Sequence, residues 1–221
     1  MKTPHAATYH EDSMISAQEA LARLQQGNQR FVAGQSHSGR RPSPELRQEL
    51  VQGQNPFAII LGCSDSRVPA EIVFDQGLGD LFVIRVAGNI VAPSLVGSVE
   101  YAVGLGVRLV VVMGHTQCGA VQATLDELQR PTESQSPNLR AIVDRVRPSV
   151  ETLLETDLKN DREALMHHAV RANVRRSADH LRHGSEILER QIEEDTLVVV
   201  GAEYSLETGV VDFFDGVSIK D

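Results

Sequence analysis

The chain has 221 residues, of which 41% are hydrophobic, and its formal charge is -9. This length suits one domain or one domain with an extension, and the negative charge argues against nucleic acid as a partner because it repels phosphate. No apolar run approaches the roughly 20 residues that cross a bilayer, and the polar start of the chain lacks the apolar core of a secretory signal, so we expect a cytoplasmic protein that does not bind membranes.

Two helices are predicted before the first strand. Ser16 to Glu19 has the S-x-x-E pattern of a capping box and predicts a helix that runs to about Val32. Ser43-Pro44 predicts the start of a second, short helix that ends near Gly53. These helices form an arm that packs either on its own domain or across a partner subunit, and the sequence leaves both open.

The arm divides the chain into three predicted parts. We expect residues 1–14 to form a flexible tail, residues 15–53 the helical arm, and residues 54–221 an α/β domain that binds the metal and carries the chemistry.

Short runs of branched apolar residues predict the strands of that domain. The runs are continuous rather than alternating, which is typical of strands covered on both faces, as in a parallel sheet. A later apolar segment, Val210–Phe214, predicts an edge strand. The four main runs are Phe57–Leu61, Leu81–Val86, Leu109–Met113 and Leu197–Val200.

Helical segments separate these strands. We expect helices over Leu95–Leu105, capped by Ser94, and over Cys118–Gln129, Asn138–Glu155 and Asp161–Arg190. Strands that alternate with helices predict right-handed crossovers. The fold class is therefore α/β, a mainly parallel β-sheet flanked by helices, with an N-terminal helical arm.

Three potential metal ligands follow two of the strands. Cys63 follows the first run, whereas His115 and Cys118 follow the third, at the sheet edge where parallel folds build their sites. The H-x-x-C spacing returns the imidazole and the second thiol to one face of a helical turn. Two thiolates and one imidazole suit Zn²⁺ in tetrahedral geometry, and three protein ligands leave the open position that marks a catalytic zinc.

Two other interpretations of these residues are open from the sequence. Each cysteine alone, or the histidine alone, is more often an inert buried side chain. A disulfide between Cys63 and Cys118 is the other alternative, but it leaves the histidine and the neighbouring Asp65 and Arg67 unexplained.

The two motifs together resemble the signature of the β-class carbonic anhydrases. That signature is C-x-D-x-R, here Cys63, Asp65 and Arg67, followed by H-x-x-C, here His115 and Cys118. The resemblance extends over about residues 16–214. It implies a zinc lyase that interconverts carbon dioxide and bicarbonate, with the two thiols and the imidazole as zinc ligands. It also implies that Asp65 and Arg67 form a catalytic dyad, and that Asp65 can swing onto the zinc as a fourth ligand.

Weaker expectations follow from the same resemblance. Gln54 stands where some members orient substrate, although a polar residue at a helix end is an equally good interpretation. Phe82 and Val86 are candidates for the walls of an apolar carbon dioxide pocket. Arg85 and Tyr204 match two residues of a bicarbonate site found in one subgroup, but its tryptophan is Ile60 here, so Arg85 is expected instead to support the loop near Cys63 or the dimer interface. Tyr101 is expected in the core.

The family also implies a homodimer or a homotetramer, and it leaves two alternative functions open. One is a zinc hydrolase of carbon disulfide or carbonyl sulfide, because the attack at carbon is the same. The other is a non-catalytic protein whose zinc is permanently capped.

Overall fold

The computed structural model of the chain describes residues 15–36, 43–131 and 136–217. Its strands form one sheet in the order β2-β1-β3-β4-β5. The first four strands are parallel, and β5 pairs antiparallel with β4. The strands are β1 Ala58–Gly62, β2 Leu81–Arg85, β3 Leu109–His115, β4 Val198–Tyr204 and β5 Val211–Asp215.

Helices connect the parallel strands and cover both faces of the sheet. This arrangement confirms the predicted α/β class and the predicted edge strand. The helices are α1 Ala17–Val32, α2 Pro44–Leu50, α3 Ala70–Val73, α4 Pro93–Gly104, α5 Gly119–Gln129, α6 Pro137–Val150, α7 Arg162–His183 and α8 Glu186–Glu193. Within the described ranges, none of them has the length and apolar composition needed to cross a membrane.

The core lies on the two faces of the sheet because strand side chains alternate in direction. On one face, Ile60 and Val111 pack with Leu24 of α1 and Phe74 after α3. On the other face, the alternate residues of β1 and β3, such as Val112, pack against α4, α7 and α8. This second core cluster includes Val174 and Leu181 of α7. Because side chains pack on both faces of the sheet, β1 and β3 are buried along their whole length.

The first helix of the arm begins as predicted and packs on its own chain. Ser16 and Glu19 form both halves of the capping box, and α1 buries Ala20 and Leu24 against the sheet. By contrast, α2 buries no residue in a single chain. The predicted tail, residues 1–14, and residues 37–42 of the linker lie outside the described residues.

Three predicted boundaries were wrong. Ser94 does not cap α4; the helix begins at Pro93, whose fixed φ and missing N–H suit the first helical position. The long helix predicted to Arg190 is two helices, since the chain breaks at Gly184 and Ser185 caps α8 by accepting a hydrogen bond from the Leu188 N–H. The helix predicted over Asn138–Glu155 ends at Val150 and continues as a 3-10 turn.

Candidate metal centre

Cys63, His115 and Cys118 meet at the carboxyl ends of two adjacent strands. Cys63 follows β1, His115 ends β3, and Cys118 is the N-cap residue of α5. Their potential ligand atoms all lie within 4.8 Å of one another, and all three residues are buried. In the described part of the chain, no other group of histidine, cysteine and acidic residues converges in this way.

The histidine presents a free nitrogen to the group. Its Nδ1 lies 2.9 Å from the Thr116 carbonyl oxygen, which only accepts hydrogen bonds, so Nδ1 carries the proton. In the neutral imidazole this leaves Nε2 as an acceptor, and Nε2 is buried without a hydrogen-bond partner. A buried lone pair of this kind is costly unless a cation or a donor meets it, and this is the orientation that metal-binding histidines adopt.

The two thiols are reduced and lie within hydrogen-bonding distance. Their sulfurs are 4.0 Å apart, and no disulfide joins them, so the disulfide alternative was wrong for this structure. The hydrogen bond to Cys118 lowers the pKa of Cys63, while the same bond and burial raise the pKa of Cys118. A bound divalent cation would hold both as thiolates, since metal ligands must be deprotonated. The donor set thus fits a zinc ion.

Asp65 and Arg67 form a bidentate ion pair beside this group. Arg67 Nε donates to Asp65 Oδ1 at 2.9 Å, and Arg67 Nη2 donates to Oδ2 at 2.7 Å. The hydrogen bond from Arg67 holds the pKa of Asp65 well below its ordinary value, so the carboxylate is ionised at neutral pH. Its Oδ2 lies 3.8 Å from His115 Nε2, close enough to meet a small molecule at the centre.

Arg85 supports the loop that carries these residues. Its Nε donates to the Cys63 carbonyl at 3.0 Å, and its Nη2 donates to the Asp65 carbonyl at 2.6 Å. These contacts support the expected role of Arg85 in holding the loop near Cys63.

Two further predicted residues are not brought to the centre within one chain. Gln54 is exposed and precedes β1, whereas Cys63 follows it, so the strand separates them by roughly 16 Å. Phe82 lies in β2 with its ring centroid 6.0 Å from that of Tyr101, and it packs with the second core cluster. Val86, in contrast, packs with the cluster that contains both cysteines. Tyr101 itself is 58% exposed, so its expected core position was wrong.

Sequence reasoning missed a contact to the Cys63 sulfur. The 3-10 turn Ala87–Asn89 follows β2, and its Gly88 N–H donates to Cys63 Sγ at 3.3 Å. Gly88 has a φ of 73°, which favours glycine, and the glycine in the Ala-Gly-Asn segment was the available signal.

A buried carboxylate near the centre was also missed. Glu203 of β4 is 5% exposed, lies 3.6 Å from His167 Nδ1 and 3.4 Å from Arg171 Nη1, and keeps Oε1 without a partner. It lines a cavity of about 490 Å³ together with Thr116 and Gln117.

Comparison with known proteins shows that the chain is similar to carbonic anhydrases. The sequence model of the carbonic anhydrase family matches residues 58–211. A carbonic anhydrase from Mycolicibacterium smegmatis is 43% identical over 192 residues, which cover 86% of this chain and 89% of that protein.

Solved structures agree with the sequence relatives. The β-carbonic anhydrase CcaA superposes with a TM-score of 0.70 at 29% identity, over 90% of this chain and 97% of that one. One of the structures of two tetrameric β-carbonic anhydrases from Sordaria macrospora superposes with a TM-score of 0.68 at 23% identity, over 89% and 97% of the chains, and this likeness concerns the fold alone.

Proposed function

Because this chain belongs to the β-carbonic anhydrase family, and is therefore a carbonate dehydratase, we propose that it hydrates carbon dioxide at a zinc ion bound by Cys63, His115 and Cys118. The observation that carries the proposal is the convergence of the two reduced thiols and the unpartnered imidazole nitrogen in one buried group. When bound there, zinc would act as a Lewis acid that makes water acidic enough to serve as the nucleophile.

The other residues of the centre orient the reactants. Arg67 fixes the Asp65 carboxylate through two hydrogen bonds and keeps it ionised. Asp65 Oδ2 can then accept a hydrogen bond from the O–H of the attacking water, which turns the oxygen lone pair toward the carbon of CO2. Of the candidate pocket residues, Val86 packs with the cluster that contains both cysteines, whereas Phe82 packs with the second core cluster.

The ligand assignment is tested by replacing one ligand. In Cys63→Ser or His115→Ala, we expect stoichiometric zinc and CO2 hydration to be lost together, because two ligands hold the ion far more weakly than three. Metal analysis and stopped-flow hydration assays measure both. Chelation of zinc from the unaltered chain should abolish hydration, and zinc should restore it. A serine variant that keeps full zinc and full turnover would remove Cys63 from the ligand set.

The role of the dyad is tested separately from metal binding. Asp65→Asn should keep zinc but reduce turnover by about 10²–10⁴-fold, because the amide cannot accept and orient the proton as the carboxylate does. Full turnover in this variant would exclude Asp65 from the mechanism. We also propose that Asp65 can bind the zinc ion as a fourth ligand. X-ray absorption spectra at the zinc edge, recorded across pH, would test this.

Two alternative activities are distinguished by direct comparison. Turnover of carbon disulfide or carbonyl sulfide above that of CO2 would favour the related zinc hydrolase. Zinc that binds without turnover of any of the three gases would favour a capped, non-catalytic protein.

We also propose a homodimer or homotetramer, a cytoplasmic location, and the division into tail (1–14), arm (15–53) and catalytic domain (54–221). Assembly is supported by α2, which buries nothing in a single chain. Gln54 would meet substrate only if the arm of one copy reached the centre of another, because within one chain β1 separates them. Gln54→Ala should then raise KM in the assembled protein. We also propose Phe82 as a substrate contact, again only if assembly brings it to the metal centre of another copy.

A further inference from the structure

The turn Ala87–Asn89 contains two consecutive left-handed residues, Gly88 and Asn89, with φ of 73° and 42°. Glycine and asparagine both tolerate this conformation, so the local sequence permits the turn without fixing its position against the rest of the fold. Gly88 and Asn89 are buried, and the Gly88 N–H points at the Cys63 sulfur.

Two polar side chains of α7 enforce this conformation. Asn173 Nδ2 donates to the Gly88 carbonyl at 2.7 Å, and Ser177 Oγ donates to the Asn89 carbonyl at 2.9 Å. They are one helical turn apart and therefore share a face of α7. Asn173 is 1% exposed and Ser177 is 4% exposed.

The setting of these side chains indicates a specific role. The other buried residues of α7 are apolar: Leu165, Ala169, Val170, Val174, Ala178 and Leu181. A buried polar side chain is unfavourable unless its hydrogen bonds are made, and both of these bond to the same short turn. The Gly88 carbonyl only accepts hydrogen bonds, so its 2.7 Å contact identifies the amide nitrogen of Asn173 as the group that faces the turn.

We propose that Asn173 and Ser177 are positioning residues for the metal centre, which hold the turn so that the Gly88 N–H donates to the sulfur of Cys63. The inference rests on the proposed function, because it concerns a ligand of the zinc ion. A hydrogen bond to a thiolate withdraws charge from the sulfur and weakens its donation to a metal. In a centre with two thiolates, this leaves the ion more electron-poor and better suited to polarise water.

The test compares Ser177→Ala and Asn173→Leu with the unaltered chain. Ser177→Ala removes one hydroxyl and is the milder change, whereas Asn173→Leu keeps the branched shape and the number of heavy atoms of the side chain and removes its hydrogen bond to the Gly88 carbonyl. We expect zinc affinity, measured by competition with a chelator, to fall by about 10–100-fold, because Cys63 is no longer held in position for the ion and this loss outweighs the stronger donation of the freed sulfur. In the cobalt-substituted protein, the thiolate-to-cobalt charge-transfer band should move to longer wavelength because the sulfur electrons are less stabilised.

A third readout needs no metal. Hydrogen exchange of the Gly88 amide, followed by NMR in the metal-free chain, should be faster in both variants. Leu181→Ala is the matched control: it weakens the docking of α7 from a fully buried position in the second core cluster. It should leave the cobalt band and the Gly88 exchange rate, relative to neighbouring amides, unchanged.

Two results would overturn the inference. The first is a Ser177→Ala variant with the band position, zinc affinity and Gly88 exchange of the unaltered chain. The second is a Leu181→Ala variant that shifts all three as much as Ser177→Ala. Failure of the proposed function is recognised separately, because the unaltered chain would then bind no zinc, while Gly88 exchange would still report whether α7 holds the turn.

Discussion

Glu203 is a buried acid whose protonation should affect the stability of the fold. Burial raises its pKa above the ordinary value of 4.5, although the charges of His167 and Arg171 oppose the shift and that of Asp212 adds to it. The folded state therefore holds this proton more tightly than the unfolded state. The corresponding stabilisation is complete below the unfolded pKa and is lost as pH rises through the folded-state pKa.

This sign gives a prediction for Glu203→Gln, which cannot titrate. We expect the free energy of unfolding of the variant, relative to the unaltered chain, to increase from pH 4 to pH 8, as measured by urea unfolding at each pH. Glu207→Gln is the control because Glu207 lines the same cavity but is exposed. A difference between Glu203→Gln and the unaltered chain that does not vary with pH would show that Glu203 is equally protonated in both states.

At the residue scale, the sequence predicted which candidate ligands converge better than it predicted what supports them. Cys63, His115 and Cys118 were expected to meet because the ends of adjacent parallel strands meet, and they do converge, while Asp65 and Arg67 lie two positions apart on one loop. The contacts of Asn173 with Gly88 cross 85 positions and depend on how α7 lies on the sheet. No local pattern distinguishes a buried asparagine of this kind from one on a solvated helix face.

The packing of α7 on β3 also restricts the position of His115. Gly114 precedes this proposed ligand, and a Cβ added there would lie 2.6 Å from Val174 Cγ2 and 3.2 Å from Val170 Cγ1. Gly201 of β4 contacts the same helix residue, since its Cβ would lie 2.9 Å from Val174 Cγ1. The two glycines thus offer matched ways to push α7 from the sheet, of which only one adjoins a ligand.

We expect Gly114→Ala and Gly201→Ala each to cost about 1–3 kcal/mol of stability through overpacking. Only Gly114→Ala should also weaken zinc binding, because β3 must shift at His115. The double variant Gly114→Ala with Val174→Ala removes the clashing methyl groups and should recover zinc affinity. Denaturant unfolding and chelator competition measure the two effects. Equal zinc affinity in the two glycine variants would mean that α7 does not fix the ligand.

At the scale of elements, β1 and β2 were predicted to within one residue, whereas β3 and β4 extend two and four residues beyond their predicted ends, and the ends of α6 and α7 were missed by more. A strand covered on both faces has a composition that nothing else in this chain shares. The break between α7 and α8 depends on Gly184, whose added Cβ would lie 2.5 Å from the His180 carbonyl oxygen. A single glycine in a charged helical pattern is compatible with continuation, so only the packing reveals the end.

At the scale of the whole molecule, the edge of the sheet formed by β2 is incompletely covered in the single chain. β2 is an edge strand, and its Leu81, Phe82 and Val83 are only half-buried, whereas every residue of β1 is buried. Tyr101 of α4 stacks near this edge. Two other large apolar residues near this edge are exposed, Val51 after α2 and Leu78 before β2. Leu50 of α2 lies close to Gly79, which places α2 beside the start of β2. Apolar surface gathered in this way is typical of a protein interface.

The proposed assembly is therefore expected to use the side of the molecule that carries β2 and α2. Tyr101→Lys should dissociate the oligomer, because it places a charge where apolar surface would be buried, while an isolated subunit already exposes 58% of this residue and should fold unchanged. Leu139→Lys on α6 is the matched control, since Leu139 is also 58% exposed but lies on a helix packed against α5 and α7. Sedimentation velocity should show a dimer or tetramer for the unaltered chain and for Leu139→Lys, and a smaller species for Tyr101→Lys. A monomeric unaltered chain would contradict the proposed assembly, and an intact oligomer of Tyr101→Lys would move the interface to another side of the molecule.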